Sequence, residues 1–84
     1  MRKEKLLRVL DIMRKTDEEH ALTIAEIIGK LRLYGIEAER KSVARDLQTL
    51  ADSGYSVMSA GKREGYYLAE REFDDLSLLM YYYR

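Results

Sequence analysis

The fold is decided by Glu39-Arg-Lys-Ser-Val-Ala-Arg-Asp-Leu-Gln-Thr-Leu-Ala-Asp-Ser53, a segment that combines an apolar stripe with a cationic opposite side. Val43, Leu47 and Leu50 recur at spacings of four and three residues, which is the period of a buried helix face. A step of about 100° per residue turns four polar side chains outward. These outward residues are Lys41, Arg45, Gln48 and Asp52. The segment therefore predicts a helix that packs on one side and presents polar groups on the other.

Two further helices are predicted before this segment. The first runs from about Lys3 to Lys15, with an apolar face formed by Leu6, Val9, Leu10 and Met13. Residues 16–22 are acidic and without periodicity, so they predict a connection. The second helix begins at Thr23-Ile-Ala-Glu26, which matches a capping box, and ends at about Tyr34 before Gly35.

After Gly54 the helical spacing of apolar residues gives way to alternation, which predicts a β-hairpin over about residues 55–68. Tyr55, Val57 and Ser59 alternate with Ser56 and Met58, and Tyr66-Tyr-Leu68 is a second short run of aromatic and branched residues. Between them, the tip from Ala60 to Gly65 has glycines for a tight turn. It also carries two adjacent cations, Lys62 and Arg63.

The last segment predicts one more helix. Asp74 is a candidate N-cap, and an apolar stripe follows at Leu76, Leu79, Met80 and Tyr83. We therefore divide the chain into a domain at 1–73 and, at 74–84, the start of a linker or dimerisation helix. The expected fold class is α+β and mainly α: a winged helix-turn-helix with a three-helix core, a two-stranded β-hairpin wing and a C-terminal helix.

Composition excludes several classes of protein. With 46% apolar and 36% charged residues in 84, the chain predicts one small folded domain. No cysteine is present, so disulfides and thiolate metal sites are excluded, and a reducing cytoplasm is the expected location. No apolar run approaches the roughly 20 residues needed to cross a bilayer, so we expect no membrane partner.

The net charge of zero conceals a segregation of charge. Residues 1–15 carry six basic and two acidic side chains, and residues 40–63 carry five and two. The intervening residues 16–39 and the final residues 64–84 are acidic. A fold that brings the basic blocks to one side would present a positive surface to a polyanion, although such blocks are equally compatible with solvated helix faces.

Three helices followed by a hairpin with a basic tip is the order of a winged helix-turn-helix. In that arrangement the third helix lies in the major groove and the wing contacts flanking phosphates, so double-stranded DNA is the expected partner. Arg45 and Gln48 are predicted base readers, with Ser42 as a further donor on the same helix. The predicted phosphate contacts are Arg40, Lys41, Lys62 and Arg63.

The sequence resembles the N-terminal DNA-binding domain of bacterial WYL-domain transcriptional regulators, whose winged helix is similar to that of the DeoR group. This resemblance implies operator binding by a module that works with a downstream sensor domain. The motifs that carry it, over nearly the whole chain, are residues 16–23, Gly35-Ile-Glu37, Arg40-Lys-Ser-Val-Ala-Arg-Asp-Leu47, Gly54-Tyr55, Gly65-Tyr-Tyr-Leu68 and Arg71-Glu-Phe-Asp74.

The chain also departs from that family. Ala44 stands where the family usually has an aromatic residue, Ser42 where it has threonine and Ala21 where it has proline. These departures imply a different sequence preference. The sensor domain of that family is missing, so the chain is either a fragment or a stand-alone reader, and the apolar pattern that is still running at Arg84 favours a fragment. We expect either homodimer formation or that absent domain to complete the regulator.

Other residues have competing interpretations. His20 is expected to be a loop residue rather than a metal ligand or base. Asp46, at the edge of the buried stripe, is expected to pair with a cation of a neighbouring helix or with a backbone amide. Tyr66, Tyr67 and Tyr81-Tyr-Tyr83 fit packing or interface positions better than base stacking.

Two other functions compete with DNA binding. A neutral, tyrosine-rich winged helix also fits a protein-interaction module without DNA binding. Catalysis is not expected, because the sequence has no glycine-rich phosphate loop and no nucleophile with a nearby histidine. We likewise predict no cofactor.

Overall fold

Three α-helices precede a two-stranded antiparallel β-hairpin in the computed structural model, which describes residues 3–69. The fold is mainly helical α+β, with the arrangement of a winged helix. The helix predicted from Asp74 lies outside the described residues. In chain order the elements are α1 (Lys3–Met13), α2 (Ile24–Leu33), α3 (Arg40–Asp52), β1 (Val57–Gly61) and β2 (Gly65–Leu68).

The hydrophobic core lies where the three helices meet. Each helix contributes side chains at spacings of three or four residues, as its sequence pattern predicts. The hairpin adds partly buried side chains that pack against this core, among them Val57 and Leu68. The buried core residues are Val9, Ile12, Met13, Ile27, Leu31, Val43, Leu47 and Leu50.

The start of α2 confirms the predicted capping box. The Thr23 hydroxyl accepts a hydrogen bond from the Glu26 amide at 3.1 Å, and the Glu26 carboxylate accepts one from the Thr23 amide at 2.9 Å. The amide hydrogen bond from Thr23 lowers the pKa of the Glu26 carboxyl below its usual value. Side-chain oxygens thus accept hydrogen bonds from two of the four backbone amides that have no partner within the helix at its start.

Both α2 and α3 end in a Schellman motif. Gly35 and Gly54 take positive φ angles of 76° and 104°, one residue after each C-cap. The next amide returns to the last turn, from Ile36 to the Leu31 carbonyl and from Tyr55 to the Leu50 carbonyl. Glycine at this position stops each helix and turns the chain back onto the core, as the sequence predicts.

Helix α1 ends at Met13, two residues before the predicted end at about Lys15. The Lys15 and Thr16 amides bond to carbonyls three residues back, which tightens the last turn. Thr16 is buried, and its hydroxyl donates to the Met13 carbonyl and accepts from the Leu68 amide at 2.9 Å. The helix therefore stops where this threonine is needed to hold the second strand of the hairpin.

An ion pair joins α1 to the edge of α3. The Lys5 ammonium donates a hydrogen bond to the Asp46 carboxylate, and the two side chains are only 11% and 18% exposed. The prediction that Asp46 pairs with a cation from a neighbouring helix is confirmed. Because neither charge is well solvated, each depends on the other for its hydrogen bonds.

The hairpin is fastened to the loop before α2 by an antiparallel bridge. The Leu22 amide donates to the Tyr66 carbonyl at 2.8 Å, and the Tyr66 amide donates to the Leu22 carbonyl at 2.7 Å. Gly65 lies buried beside this bridge with φ of 96°. A Cβ at Gly65 would lie 2.1 Å from the Leu22 carbonyl oxygen, so glycine permits the close approach of the two backbones.

We expect Asp46→Ala to lower the free energy of unfolding by about 2–3 kcal/mol, because it leaves the Lys5 ammonium buried without its partner. Urea denaturation followed by circular dichroism measures this loss. The control is Glu37→Ala, which removes the exposed pair between Arg32 and Glu37 at 3.9 Å and should cost less than about 1 kcal/mol. Equal losses in the two variants would contradict the assigned role of Asp46.

We expect Gly65→Ala to cost at least about 3 kcal/mol of unfolding free energy, since it combines a clash with the Leu22 backbone with a left-handed φ. Gly54→Ala is the matched control: its φ is similar but its Cβ meets open space, so about 1–2 kcal/mol is expected. Urea denaturation measures both. Hydrogen exchange at the Leu22 and Tyr66 amides should accelerate in the Gly65 variant alone, and unchanged exchange would contradict this account.

Candidate nucleic-acid interface

Helix α3 has a buried side and a polar side, as predicted. Val43, Leu47 and Leu50 are 0%, 5% and 3% exposed. The outer face of α3, as we call the opposite side, consists of exposed residues only: Lys41, Arg45, Gln48 and Asp52. The apolar stripe thus determines which side of the helix points to solvent.

The remaining predicted residues of α3 lie at its start. Arg40 is the first helical residue and is exposed, whereas Ser42 is half-buried. Helical geometry puts Ser42 on the same flank as Asp46, away from the centre of the outer face. Ser42 is therefore the least accessible of the predicted contacts on this helix.

Five cations predicted to contact DNA are exposed and take no part in the ion pairs of the described chain. Those pairs are formed instead by Lys5, Arg8, His20 and Arg32. No nearby carboxylate offsets the positive potential of such cations, so it acts on an external anion. The five are Arg40, Lys41, Arg45, Lys62 and Arg63.

Gln48 makes a hydrogen bond that the sequence analysis did not foresee. Its side-chain Nε2 donates to Oδ1 of Asp52 at 2.9 Å, one turn further along the outer face. Recognition of adenine requires the amide to donate and accept at once. The bond to Asp52 engages one of the two N–H groups and leaves the second N–H and the carbonyl oxygen of Gln48 for such a contact.

The wing tip, defined here as Lys62, Arg63 and Glu64, is the exposed turn between β1 and β2. The strands pair Val57 with Leu68 and Ser59 with Tyr66, and an irregularity follows before Gly61. The predicted cations therefore lie at the free end of the hairpin. A carboxylate stands next to them, which reduces the net charge of the tip to one.

A groove between α3 and the hairpin was missed by sequence reasoning. Ala44, Gln48 and Ala51 form its helical wall, and Ser59 and Tyr66 lie on the opposite wall. Its volume is about 370 Å³. The signal in the sequence is the pair of alanines, which lie seven residues apart on one flank of the helix. The groove exists only because the hairpin packs opposite that flank. This groove brings Gln48 next to the wing.

His20 lies outside this interface. It is exposed, and its Nδ1 is 2.8 Å from the Asp17 carboxylate, whose pKa is lowered chiefly by that hydrogen bond. In the part of the chain that the structure describes, no group of three or more histidine, cysteine or acidic residues could hold a metal ion. No helix within residues 3–69 is long and apolar enough to span a membrane.

The fold thus places the chain in the winged-helix class. The chain matches no protein-family model, and no curated protein or solved structure is detectably similar to it. The arrangement of its own side chains is therefore what bears on its function.

Proposed function

We propose that the chain binds double-stranded DNA and is the DNA-reading part of a transcriptional regulator, with α3 in the major groove and the wing on flanking phosphates. One observation carries the proposal: the outer face of a helix whose other side is buried presents exposed cations that have no carboxylate partners. A helix about 10–12 Å across fits a major groove about 12 Å wide.

The side-chain chemistry assigns a role to each contact. Arg45 and Gln48 read base edges from the outer face of α3, since guanidinium pairs with guanine and a carboxamide with adenine. The phosphate contacts are Arg40, Lys41, Lys62 and Arg63, which hold the helix in register. Ser42 is a secondary donor because it is half-buried.

A neutral chain can bind a polyanion when its charge is local. Residues 40–63 carry five basic and two acidic side chains, and Asp46, one of the two acids, is paired with Lys5. About four to six phosphates neutralised by one domain correspond to weak binding near physiological salt. Pairing as a homodimer, or with a sensor domain, supplies the remaining affinity in a cytoplasmic regulator.

Fluorescence anisotropy with a labelled random duplex at low salt tests this proposal. Binding should weaken with a slope of about −4 to −5 in log affinity against log salt. Absence of binding at tens of micromolar protein would contradict the proposal and favour a winged-helix protein-interaction module without DNA binding.

Arg45→Ala and Lys62→Ala should affect DNA binding differently. Once a preferred duplex has been selected, Arg45→Ala should cost about 1–3 kcal/mol of discrimination between that duplex and a random one. Lys62→Ala should weaken binding to both duplexes alike and reduce the salt slope by about one. Anisotropy titrations on both duplexes measure the two effects, and intact discrimination in Arg45→Ala would contradict the assigned face of α3.

Asp52→Asn should tighten binding to every duplex, because it removes the carboxylate from the outer face of α3 while an acceptor for Gln48 remains. We expect a gain of about 0.5–1 kcal/mol at low salt that diminishes as salt is added. Anisotropy over a salt series measures the gain. The control is Asp11→Asn on α1, which should leave affinity unchanged. Equal tightening by both variants would show that the place of the removed charge does not matter, and would contradict the assignment of Asp52 to the DNA-facing side of α3.

A further inference from the structure

The groove between α3 and the hairpin adjoins the outer face of α3 but differs from it in charge. Gln48 belongs to both, so the groove continues the surface that is proposed to read base edges. Within the described chain, no acidic or basic residue lines the groove. Ile24, Leu47 and Val57 add apolar groups to its walls, and its volume is about 370 Å³. The groove is therefore an uncharged extension of a cationic face.

Two methyl groups lie on the helical wall of this groove. They belong to Ala44 and Ala51, and both residues are exposed. Gln48 lies between them in the sequence, and its hydrogen bond to Asp52 at 2.9 Å draws its amide toward the outer face of α3. Alanine has no hydrogen-bonding group in its side chain, so these two positions offer apolar contact alone.

The chemistry of this wall selects among the groups that a duplex presents. A phosphate is disfavoured, because no cation lines the groove to offset its charge. A donor or acceptor on a base edge would lose its hydrogen bonds to water against a methyl group. Thymine displays a C5-methyl group in the major groove, and alanine is one of the side chains that contact it. A thymine methyl therefore fits the alanine wall best.

Position along α3 distinguishes the two alanines. Ala44 lies in the N-terminal half of the helix, which begins at Arg40, whereas Ala51 is the residue before its last, Asp52. In helix-turn-helix proteins, the N-terminal residues of the recognition helix contact base edges. Ala44 and Gln48 are one turn apart, about 6 Å along the axis, compared with about 3.4 Å between base pairs. Ala44 is therefore placed to contact a base within about two pairs of the one that Gln48 reads.

We propose that Ala44 recognises thymine, whose methyl group enters the groove between α3 and the hairpin and packs against the alanine methyl. This inference rests on the proposed DNA binding and deepens it, because it assigns a base to a side chain that makes no hydrogen bond. Gln48 takes adenine by the same reasoning as before. The preferred duplex therefore contains a thymine within about two base pairs of that adenine.

Replacement of thymine by deoxyuridine in the DNA tests this inference, since it removes the methyl group and keeps every hydrogen-bonding group of the base. The probe is a duplex selected from a random pool by the full chain, and its thymines are replaced one at a time. One replacement should weaken binding about fourfold, the factor expected when one apolar carbon group leaves a contact. Fluorescence anisotropy measures the dissociation constants. Equal affinity after every replacement would overturn the inference.

Ala44→Gly and its matched control Ala51→Gly connect the thymine with one side chain. Both substitutions remove a methyl group from an exposed position of α3 on the same groove wall, and both carry a comparable cost in helix propensity. Comparison of the thymine duplex with the deoxyuridine duplex for each variant cancels that cost. The preference for thymine should fall from about fourfold to less than about twofold in Ala44→Gly and persist in Ala51→Gly.

The outcomes separate this inference from the proposed function. A preference for thymine that survives in Ala44→Gly, or that is lost in Ala51→Gly instead, would overturn the assignment to Ala44. Failure of the chain to bind any duplex would overturn both proposals, whereas tight binding without a deoxyuridine effect would overturn the thymine inference alone. Because the deoxyuridine series needs no substitution in the protein, it decides the inference even if a glycine variant does not fold.

Discussion

The two hydrogen bonds between Leu22 and Tyr66 are the constraint on which the arrangement of this molecule depends. They join the loop before α2 to the second strand of the hairpin, at 2.7 and 2.8 Å. A two-stranded hairpin by itself is at best marginally stable in water, so this third backbone partner supports the wing. The approach is possible only because Gly65 has no side chain to meet the Leu22 carbonyl.

Helix α3 is held on more than one side, which gives the proposed reading helix a defined rotation. The core takes Val43, Leu47 and Leu50, and the ion pair of Lys5 with Asp46 fastens one flank. The hairpin lies opposite the other flank, across the groove lined by Ala44 and Ala51. Burial of Asp46 also withdraws a negative charge from solvent, so Asp52 is the one carboxylate on the outer face of α3. A helix fixed in this way presents its cations without reorganisation, which favours binding.

The molecule presents two chemically different surfaces. The outer face of α3 is polar and cationic and suits a phosphate backbone and base edges. The groove between α1 and α2 combines the cations Lys15 and Lys30 with the apolar side chains of Leu33 and Tyr34. The two surfaces share no residue. Leu33 and Tyr34 are two of the four large apolar side chains that are exposed in residues 4–69.

Local patterns in the sequence determine the helices and their polarity. The apolar periods predict which side of α3 is buried, the capping box predicts the start of α2, and glycine at 35 and 54 predicts the two helix ends. These features depend on neighbours within about four residues, and for that reason they can be read from one sequence. The predicted exposure of Arg45 and Gln48 follows from the same periodicity.

Contacts between distant residues were decided by the tertiary structure alone. The pairing of Leu22 with Tyr66, the use of Thr16 to hold Leu68 and the groove between Ala44 and Ser59 join positions far apart in the chain. The sequence predicted that Asp46 would pair with a cation of a neighbouring helix or with a backbone amide, but it could not name Lys5, which lies 41 positions away. No local rule specifies such partners, because they depend on how the helices pack against one another. Packing converts a periodic sequence into a particular surface.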